Sequence, residues 1–507
     1  MTQMRSPTVD HLESLFNPKS VAVIGASNNP AKWGFGIFHD LISKGFKGDV
    51  YPVSRSEDSV SGHTAFKTVN DIPGPVDLAA IVVPVQYVPQ AMENCVRKGI
   101  KSAIVITAGF GELNEEGARL EQEALRIARE GGIRFIGPNC FGIVNTDSSL
   151  SSMGFLSPLA SGQIPRGPVS IISQSGNAGS YVLGMGVMEG LGFSKFISSG
   201  NEADLHFEDY LEYLSWDPHT KVIVGYVEGI RDGRHFLKVA KETTPRKPIV
   251  LLKVGLTEAG AKAAKSHTGA LGGSAKIYEA AFKQAGIICV DEVEELIDVA
   301  AALVGQPIPK GNRVAVVTIG GGFGVIATDM AAKLGLVVPP LLEETIQRLN
   351  KWLPPFWSHS NPVDMVATLQ YSYACIGAVL KDENIDSVLA ISSIGFPALP
   401  SLDGIPSEWK AGAEGYLQQM KEMEVSQGVT GLIERIQKYQ KPVIAGGGMT
   451  SGMSAMAGMG IEEGEAIQKL RENGVVLYSS PERAAKVLAY MVKYGQYLRD
   501  IGSVTTE

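Results

Sequence analysis

The chain has 507 residues, of which 44% are hydrophobic and 19% are charged. This composition is typical of a folded globular protein and excludes a largely disordered one. The net charge of −8 argues against a general nucleic-acid or anionic-membrane surface, although a local basic pocket for a phosphorylated ligand stays open. We therefore expect a small-molecule partner.

The four cysteines are widely separated and form no CxxC pair; they are Cys95, Cys140, Cys289 and Cys375. This spacing suggests neither a zinc site nor a disulfide framework, and we assign no metal ligand. Residues 1–20 lack the apolar stretch of a signal peptide, and no window reaches the roughly 18 apolar residues that a membrane helix needs. We expect a cytoplasmic protein that binds neither nucleic acid nor membrane.

The first 150 residues repeat an apolar run, a turn and an amphipathic segment. Runs typical of buried parallel strands cover residues 21–25, 48–53, 78–83, 102–106 and 134–137. Helical stretches at 87–98 and 115–131 separate some of them. The alternation predicts a doubly wound α/β sheet of Rossmann type, whose ligand lies at the carboxyl ends of the strands.

The turn after the first strand, residues 25–34, places backbone N–H groups at a helix start, where they can hold phosphate. The GxGxxG spacing of a dinucleotide site is absent. Strand two ends in Val53-Ser54-Arg55-Ser56, which contains no acidic residue for a ribose 2′-hydroxyl. NAD is therefore disfavoured, and a 3′-phosphorylated nucleotide such as CoA is better tolerated.

A Pro- and Gly-rich cluster at 157–168 predicts a linker, and a second α/β unit then begins with an apolar strand at 169–173. The turn that follows, residues 174–179, could hold phosphate at a helix N-terminus or could only pack strand against helix. Further strands, at 195–199, 222–227 and 248–252, end in polar residues. Residues distant in sequence would therefore meet at one rim of this sheet.

A second linker is predicted at 307–311, followed by a third α/β unit that begins with a strand at 313–319. Its glycine turn, residues 320–324, is interpreted as a packing and subunit-contact feature. Residues 400–430 look like an added helical segment. We predict three doubly wound α/β domains: a Rossmann-type domain at 1–150 and two flavodoxin-like domains at 151–306 and 307–507, the last with the added segment near 400–430.

One histidine, His267, lies in a run of small residues, with Gly269, Gly272 and Gly273 just after it. Its imidazole has little bulk around it, although an inert, hydrogen-bonded histidine at a helix end is the other interpretation. The run Ser-His-Thr-Gly-Ala-Leu, residues 266–271, closely resembles the phosphohistidine loop of the nucleoside-diphosphate-forming acyl-CoA synthetases, relatives of succinyl-CoA synthetase. The resemblance continues on both sides of this loop.

Segments in the first domain, at 83–84, 107–112 and 137–142, are similar to the CoA-binding domain of that family. Residues 361–364 are similar to a motif of its third domain. The resemblance implies that CoA is bound by Gly25, Ser27, Pro52, Val83, Pro84, Asn139 and Cys140, the last two toward the thiol end. For Cys140 we favour a small buried hydrophobe over a covalent role.

The resemblance also implies that His267 carries the phosphoryl group and that Glu228 orients it. A carboxylate there can hydrogen bond one imidazole nitrogen while the other attacks phosphorus; the alternative is a surface carboxylate that caps a helix. The phosphate-binding candidates are Ser173, Ser175, Gly176, Gly200 and Asn201. Helix N-termini after Ser173 and near Gly200 would supply electrostatic neutralisation.

The family resemblance implies a CoA-binding, phosphohistidine-carrying subunit of an ADP-forming acyl-CoA synthetase. Its substrate would be a small carboxylic acid or the acyl-CoA. No stretch resembles an ATP-grasp domain, so ATP, ADP and Mg²⁺ are expected mainly on a separate β-type ATP-grasp subunit. Two departures, Leu256 for a common Arg and Ala275 for an acidic residue, could alter anion binding or the partner contact. The alternative is a non-catalytic CoA-binding or regulatory protein of the same fold.

Overall fold

The computed structural model describes residues 5–154, 164–260, 274–366, 368–394, 428–447 and 465–503. Strands and helices alternate along these ranges and build three larger sheets and one two-stranded hairpin. The chain divides into two compact units. The first unit contains Met1–Val187 and Leu191–Ile297, and the second contains Met188–Gly190 and Asp298–Glu507.

The first sheet is five-stranded and parallel throughout. Its strands are β1 (Ser20–Ile24), β2 (Asp49–Val53), β5 (Leu78–Ile81), β6 (Ser102–Val105) and β7 (Arg134–Ile136), and the hairpin strands are β3 (Ser59–Val60) and β4 (His63–Thr64). The order is β2-β1-β5-β6-β7. The helices of this region are α1 (Pro7–Phe16), α2 (Trp33–Ser43), α3 (Val88–Lys98) and α4 (Glu115–Glu130). Asn114 caps α4 by accepting a hydrogen bond from the Gly117 amide.

The second sheet is seven-stranded and lies in the same unit. Its strands are β8 (Gly142–Asn145), β9 (Leu150–Ser151), β10 (Arg166–Ser173), β11 (Phe193–Ser198), β12 (Val222–Val227), β13 (Ile249–Lys253) and β14 (Ile288–Val290). The order is β14-β13-β12-β10-β11-β8-β9. Strand β8 is antiparallel to both of its neighbours, β11 and β9, and the other neighbouring strands are parallel. Its helices are α5 (Gly176–Met188), α6 (Phe207–Trp216), α7 (Gly233–Thr243), α8 (Ala275–Ala285) and α9 (Val293–Gly305).

The third sheet, in the second unit, is again parallel. Its strands are β15 (Val314–Thr318), β16 (Val363–Asp364), β17 (Ser387–Ile391), β18 (Val443–Gly446) and β19 (Leu477–Tyr478), in the order β16-β15-β17-β18-β19. Its helices are α10 (Gly321–Lys333), α11 (Glu343–Leu349), α12 (Ser372–Leu380), α13 (Thr430–Tyr439), α14 (Glu465–Glu472) and α15 (Pro481–Asp500).

The core explains why the parallel strands read as continuous apolar runs. Val21 and Val23 of β1 pack into one buried cluster, and Ala22 and Ile24 pack into another, so both faces of the strand are covered. The first of these clusters also contains Ile172 and other residues of the second sheet. The two sheets of the first unit therefore share apolar core.

The α/β class with mainly parallel sheets is confirmed, as are the predicted strands and helices that fall in the described residues. The domain boundaries stay a proposal. Strands β8 and β9 lie close to the predicted boundary at residue 150, and both belong to the second sheet. The linker prediction is wrong at its end, because residues 166–168 already belong to β10. Residues 155–163 and most of the 400–430 segment lie outside the described residues. Among the described helices none is long and apolar enough to cross a membrane.

Candidate functional site

A cavity of about 750 Å³ opens at the carboxyl ends of β1, β2 and β5. Gly25 and Ser27 line it from the turn after β1, and Val83 and Pro84 line it from the segment after β5. The position beyond the strand ends is the one expected for the ligand of a doubly wound sheet, and the volume is in the range of small-molecule sites.

Gly25 has a backbone requirement that explains its place in this turn. Its φ of +106° is one that L side chains rarely adopt, and a Cβ there would lie 2.6 Å from the carbonyl oxygen of Val82. The turn can therefore pass close to the segment after β5 only with glycine at this position.

Three basic side chains contribute to the cavity wall: Lys32, Arg55 and Lys67. The Arg55 guanidinium lies over the Tyr87 ring, 4.2 Å from its centroid, and Lys67 pairs with Asp58 at 2.7 Å. An anionic ligand is favoured by this wall despite the negative net charge of the chain.

Sequence reasoning missed Glu57, which lies just beyond the end of β2 and also lines the cavity. Its carboxylate accepts hydrogen bonds from the Ser27 hydroxyl at 2.9 Å and from the Asn28 amide N–H at 3.1 Å. The bond from the Asn28 backbone holds the pKa of this carboxyl below its usual range. Glu57 thus presents a negative charge to the turn that was predicted to hold phosphate. The sequence signal that could have found Glu57 is an acidic residue close to the end of strand two. Its contact with the turn after β1 could not be foreseen, because Asn28 of that turn is also held by the β3–β4 hairpin.

The remaining predicted CoA residues lie near the cavity without being among its lining residues. Pro52 is in β2, one residue before the lining Val53. Asn139 donates its backbone N–H to the carbonyl of Thr107, a lining residue, at 2.9 Å. Burial raises the pKa of the Cys140 thiol to about 12, so the thiol is protonated at neutral pH, which favours the buried hydrophobe over a covalent role.

At the second sheet, the carboxyl ends of β10, β11, β12 and β13 meet at one rim, as predicted. Gln174 follows β10, and its side-chain oxygen accepts from the backbone N–H groups of Glu228 and Gly229 at 2.5 and 2.9 Å. Its side-chain nitrogen donates to the Gly229 carbonyl at 2.7 Å and to Glu202 at 3.0 Å. One amide therefore ties together the ends of three strands.

Glu202, in the segment after β11, is a buried acid of this rim, with 2% of its surface exposed. Burial raises its pKa to about 7, and hydrogen bonds from the Ser199 hydroxyl and the Gln174 amide oppose that rise. The Ser199 bond is 2.7 Å long. Glu202 was not singled out from the sequence because its contact with Gln174 comes from the end of another strand, 28 residues away.

Glu228 follows β12 and is only 7% exposed, so the alternative of a surface carboxylate is wrong. Beside it, the Lys253 ammonium donates to the Glu228 carbonyl at 2.8 Å and lies 4.5 Å from the centroid of the Tyr278 ring. Burial lowers the pKa of Lys253, and the charge of Glu228 opposes that shift. The rim thus holds a buried carboxylate and a buried ammonium side by side.

The phosphate-binding candidates after β10 lie at the start of α5, a helix that begins at Gly176. The Ser173 hydroxyl donates to the Ser175 carbonyl at 2.6 Å. This geometry matches the predicted helix N-terminus after Ser173. The helix N-terminus predicted near Gly200 is wrong, because the next helix begins at Phe207. Residues 201–206, between Gly200 and this helix, form turns and bends instead.

Asn201 links the second sheet to the first. Its side-chain nitrogen donates to the carboxylates of Glu112 at 2.6 Å and Glu121 at 2.9 Å, and its side-chain oxygen accepts from Asn139 at 3.2 Å. Gly200 beside it has no room for a Cβ, which would lie 2.2 Å from the Pro138 carbonyl oxygen. The amide of Asn201 is thus engaged with protein groups, and its role toward phosphate stays a prediction. His267 lies outside the described residues, so its role also stays a prediction.

Fold and site together define an α/β protein with a nucleotide-sized cavity on one sheet and a buried polar rim on the next. Residues 19–146 match the model of a CoA binding domain, and residues 166–303 match that of the succinyl-CoA ligase like flavodoxin domain.

The chain is 43% identical to the ADP-forming acetate–CoA ligase II subunit alpha of Pyrococcus furiosus, over 95% of this chain and 97% of that protein. It is 40% identical to the ligase I subunit alpha of the same organism, over 96% and 98%. A solved structure of the dinucleotide forming acetyl-coenzyme A synthetase 1 of Ca. Korarchaeum cryptofilum, in complex with phosphate and ADP, is 36% identical with a TM-score of 0.81, covering 97% of this chain and 99% of that one. The chain belongs to the family of ADP-forming acetate–CoA ligase alpha subunits, a family of acid–thiol ligases.

Proposed function

We propose that this chain is the CoA-binding, phosphohistidine-carrying subunit of an ADP-forming acyl-CoA synthetase. The overall reaction is acid, CoA and ATP to acyl-CoA, ADP and phosphate. It proceeds through an acyl phosphate and phosphorylated His267. The observation that carries the proposal is the match to alpha subunits over nearly their whole length, which includes the His267 stretch.

The phosphoryl transfers follow from the chemistry of an imidazole. In the direction that makes ATP, phosphate attacks acyl-CoA, the thioester bond breaks, and an acyl phosphate forms as CoA leaves. His267 then attacks phosphorus, a P–N bond forms as the P–O bond to the acid breaks, and the carboxylate leaves. ADP takes the phosphoryl group from His267 in the last step. Thioester synthesis runs the same steps backwards.

Glu228 is proposed to accept a hydrogen bond from one His267 nitrogen, which fixes the tautomer and stabilises the positive ring while the other nitrogen attacks. Its burial supports this role, since a sheltered carboxylate interacts more strongly with a cation than one in water. The N-terminus of α5 would stabilise the charge on the phosphoryl group. Positioning and charge neutralisation dominate in such transfers.

The CoA proposal uses the cavity of the first sheet, with Gly25, Ser27, Val83 and Pro84 in its wall and Asn139 beyond its edge. The basic side chains of that wall would bind the phosphates of CoA. The nucleotide and Mg²⁺ are proposed to bind mainly to a separate ATP-grasp β-type subunit, supported by the subunit names of the two Pyrococcus relatives. A cytoplasmic location is proposed as well, supported by four cysteines that are all free.

The test is incorporation of labelled phosphate. The chain is incubated with labelled phosphate and acetyl-CoA, or with labelled ATP and its partner subunit, and acid-labile label on protein is measured. We expect label on the wild type and none on His267→Ala. His219→Asn, which changes an exposed histidine, serves as the matched control and should label like the wild type.

Two results would contradict the proposal. Full turnover by a reconstituted His267→Asn enzyme would exclude a phosphohistidine. Absence of label on the wild type under every condition, with CoA still bound, would favour the non-catalytic CoA-binding protein.

A further inference from the structure

Gln174 uses all of its side-chain hydrogen-bonding capacity on the protein. A neutral amide offers two donor hydrogens and an acceptor oxygen with two lone pairs. Here the oxygen takes the two backbone N–H groups after β12, and the nitrogen serves Gly229 and Glu202. The residue is only 8% exposed. A side chain so fully engaged in the protein has nothing left with which to bind a ligand directly.

We propose that Gln174 is a positioning residue for phosphoryl transfer, whose amide fixes the Glu228–Gly229 backbone while Glu202 helps to hold the nitrogen of that amide in place. The inference rests on the proposed function, because it assigns the purpose of the clamp to the carboxylate of Glu228. It concerns a residue that contacts neither phosphorus nor the imidazole in the proposed mechanism. Its effect passes through Glu228.

The amide is oriented first by the backbone: its oxygen accepts from two N–H groups and its nitrogen donates to the Gly229 carbonyl. Glu202 adds a second acceptor for the nitrogen, at 3.0 Å, and so strengthens the same orientation. The Ser199 hydroxyl donates to the other carboxylate oxygen at 2.7 Å and holds Glu202 in turn. A flipped amide would set its nitrogen against two backbone donors, and the clamp would be lost.

The clamp acts at the base of the Glu228 side chain. Both N–H groups that it holds belong to the first residues past β12, where the regular pairing with neighbouring strands ends. Without Gln174 these two bonds are lost, and this backbone keeps fewer contacts to hold it, among them the bond from Lys253 to the Glu228 carbonyl. A displacement of about 1 Å at a reacting group can lower a rate by about 100-fold.

The test compares Gln174→Met with the wild type. Methionine keeps the length and flexibility of the side chain but makes none of the four hydrogen bonds. We expect the rate of His267 labelling from labelled phosphate and acetyl-CoA to fall roughly 10- to 100-fold per folded molecule. The affinity for CoA, measured by calorimetry, should stay unchanged, because the CoA cavity is built on the first sheet.

Gln306→Met is the matched control. Gln306 is also a buried glutamine, 5% exposed, whose side-chain oxygen accepts a backbone N–H, that of Val443 at 2.9 Å. Its loss removes a comparable buried bond in the second unit. Labelling of His267 per folded molecule should stay at the wild-type rate, which separates positioning from a general loss of stability.

Two variants of Glu202 test the orientation step. Glu202→Gln can still accept from the Gln174 nitrogen while its own amide faces Ser199, so labelling should stay within about threefold of the wild type. Glu202→Leu removes one of the two acceptors of the Gln174 nitrogen and should lower labelling, but by less than Gln174→Met, because the Gly229 carbonyl and both backbone N–H groups still hold the amide. The double variant Gln174→Met/Glu202→Leu should be no slower than Gln174→Met alone, because both changes break one arrangement.

The outcomes distinguish this inference from the proposed function. Normal labelling by folded Gln174→Met would overturn the inference and leave the phosphohistidine proposal standing. Equal losses in Gln174→Met and Gln306→Met would also overturn it, since a general structural effect would then suffice. Absence of label on the wild-type chain would contradict the proposed function itself.

Discussion

The cavity of the first sheet and the rim of the second sheet both lie at the carboxyl ends of parallel strands, but their polar side chains differ in exposure. Around the cavity, Arg55 and Ser56 are exposed and the charged groups face open space. At the rim, Gln174, Glu202 and Glu228 are all less than a tenth exposed. We expect the first region to bind a ligand that enters and leaves, and the second to hold an arrangement that exists before any ligand arrives. Strand ends of the same fold class can thus be built for exchange or for fixed geometry.

The largest effect is expected from Asp204, which anchors the segment that contains Glu202. Its carboxylate, 1% exposed, accepts from Arg134 at 2.8 Å and from the Phe135 amide at 3.1 Å. Asp204→Ala leaves a partly buried guanidinium and a buried N–H without their acceptor, so the free energy of unfolding should fall by about 3 kcal/mol. Urea denaturation followed by tryptophan fluorescence measures it. Asp58→Ala, at an exposed position of the cavity region, should change the unfolding midpoint much less. Equal effects would contradict the view that the rim is held more firmly than the cavity region.

The second prediction concerns the buried charge of the rim. Because burial raises the pKa of Glu202 to about 7, from an ordinary value near 4.5, the folded state binds this proton more tightly than the unfolded state. The stability of the wild type therefore falls as the pH rises from about 4.5 to about 7, where the unfolded state loses this proton and the folded state keeps it, and Glu202→Gln removes that loss. The stability gained by the variant should grow by roughly 2 kcal/mol between about pH 5 and about pH 8.

Denaturant unfolding of both proteins at the two pH values measures this difference. His206 and Glu208 also lie close to Glu202 and are present in both proteins. Burial lowers the pKa of His206, and the charges of Glu208 and Glu202 raise it, with a net shift upward. The variant therefore also loses the attraction between His206 and Glu202, and the measured gain is the net of the two effects. A gain that does not depend on pH would mean that Glu202 titrates as an exposed acid, and the contrast between rim and cavity would fail.

The smallest effect is expected at Glu57, whose carboxylate occupies the turn after β1. Glu57→Gln removes a negative charge from a cavity proposed to bind phosphates, so the Kd for CoA should fall roughly threefold to tenfold at low ionic strength. The gain should shrink at high salt. Calorimetric titration with CoA measures both.

Glu130→Gln makes the same change of net charge at an exposed helix position, where Glu130 pairs with Arg126. It should leave the Kd for CoA unchanged. Weaker CoA binding by Glu57→Gln would instead mean that this carboxylate orders the turn for the ligand, and the cavity would then resemble the rim more than we propose.

The sequence predicts the scaffold well because parallel strands buried on both faces are continuous apolar runs, as in residues 222–227. It does not predict β8, which pairs with residues of β11 about 50 positions away, or β9, which pairs with β8. The site divides in the same way. Glu228 is found because it directly follows an apolar run. Gln174 is adjacent to a predicted strand, yet its purpose depends on bonds to residues 28 to 55 positions away, which no local pattern encodes.

The family resemblance predicted a role for His267 that no local pattern indicates. It did not predict the polar residues whose hydrogen bonds hold other residues in place. Glu57 and Glu202 each have a hydrogen-bond partner about 30 residues away, Ser27 and Gln174, and these partners are brought together only when the sheets form.

The amide of Asn201 has a consequence for substrate selection. It joins carboxylates of the first domain to the loop of the second sheet through donors and an acceptor that are all in use. The distance between the cavity of the first sheet and the rim of the second is therefore set by the folded chain. Under the proposed function, a bulkier acid would gain no room by moving the two sheets apart. We expect preferences among acids to follow the side chains that line the gap, so that redesign for a longer acid begins with shortening those walls.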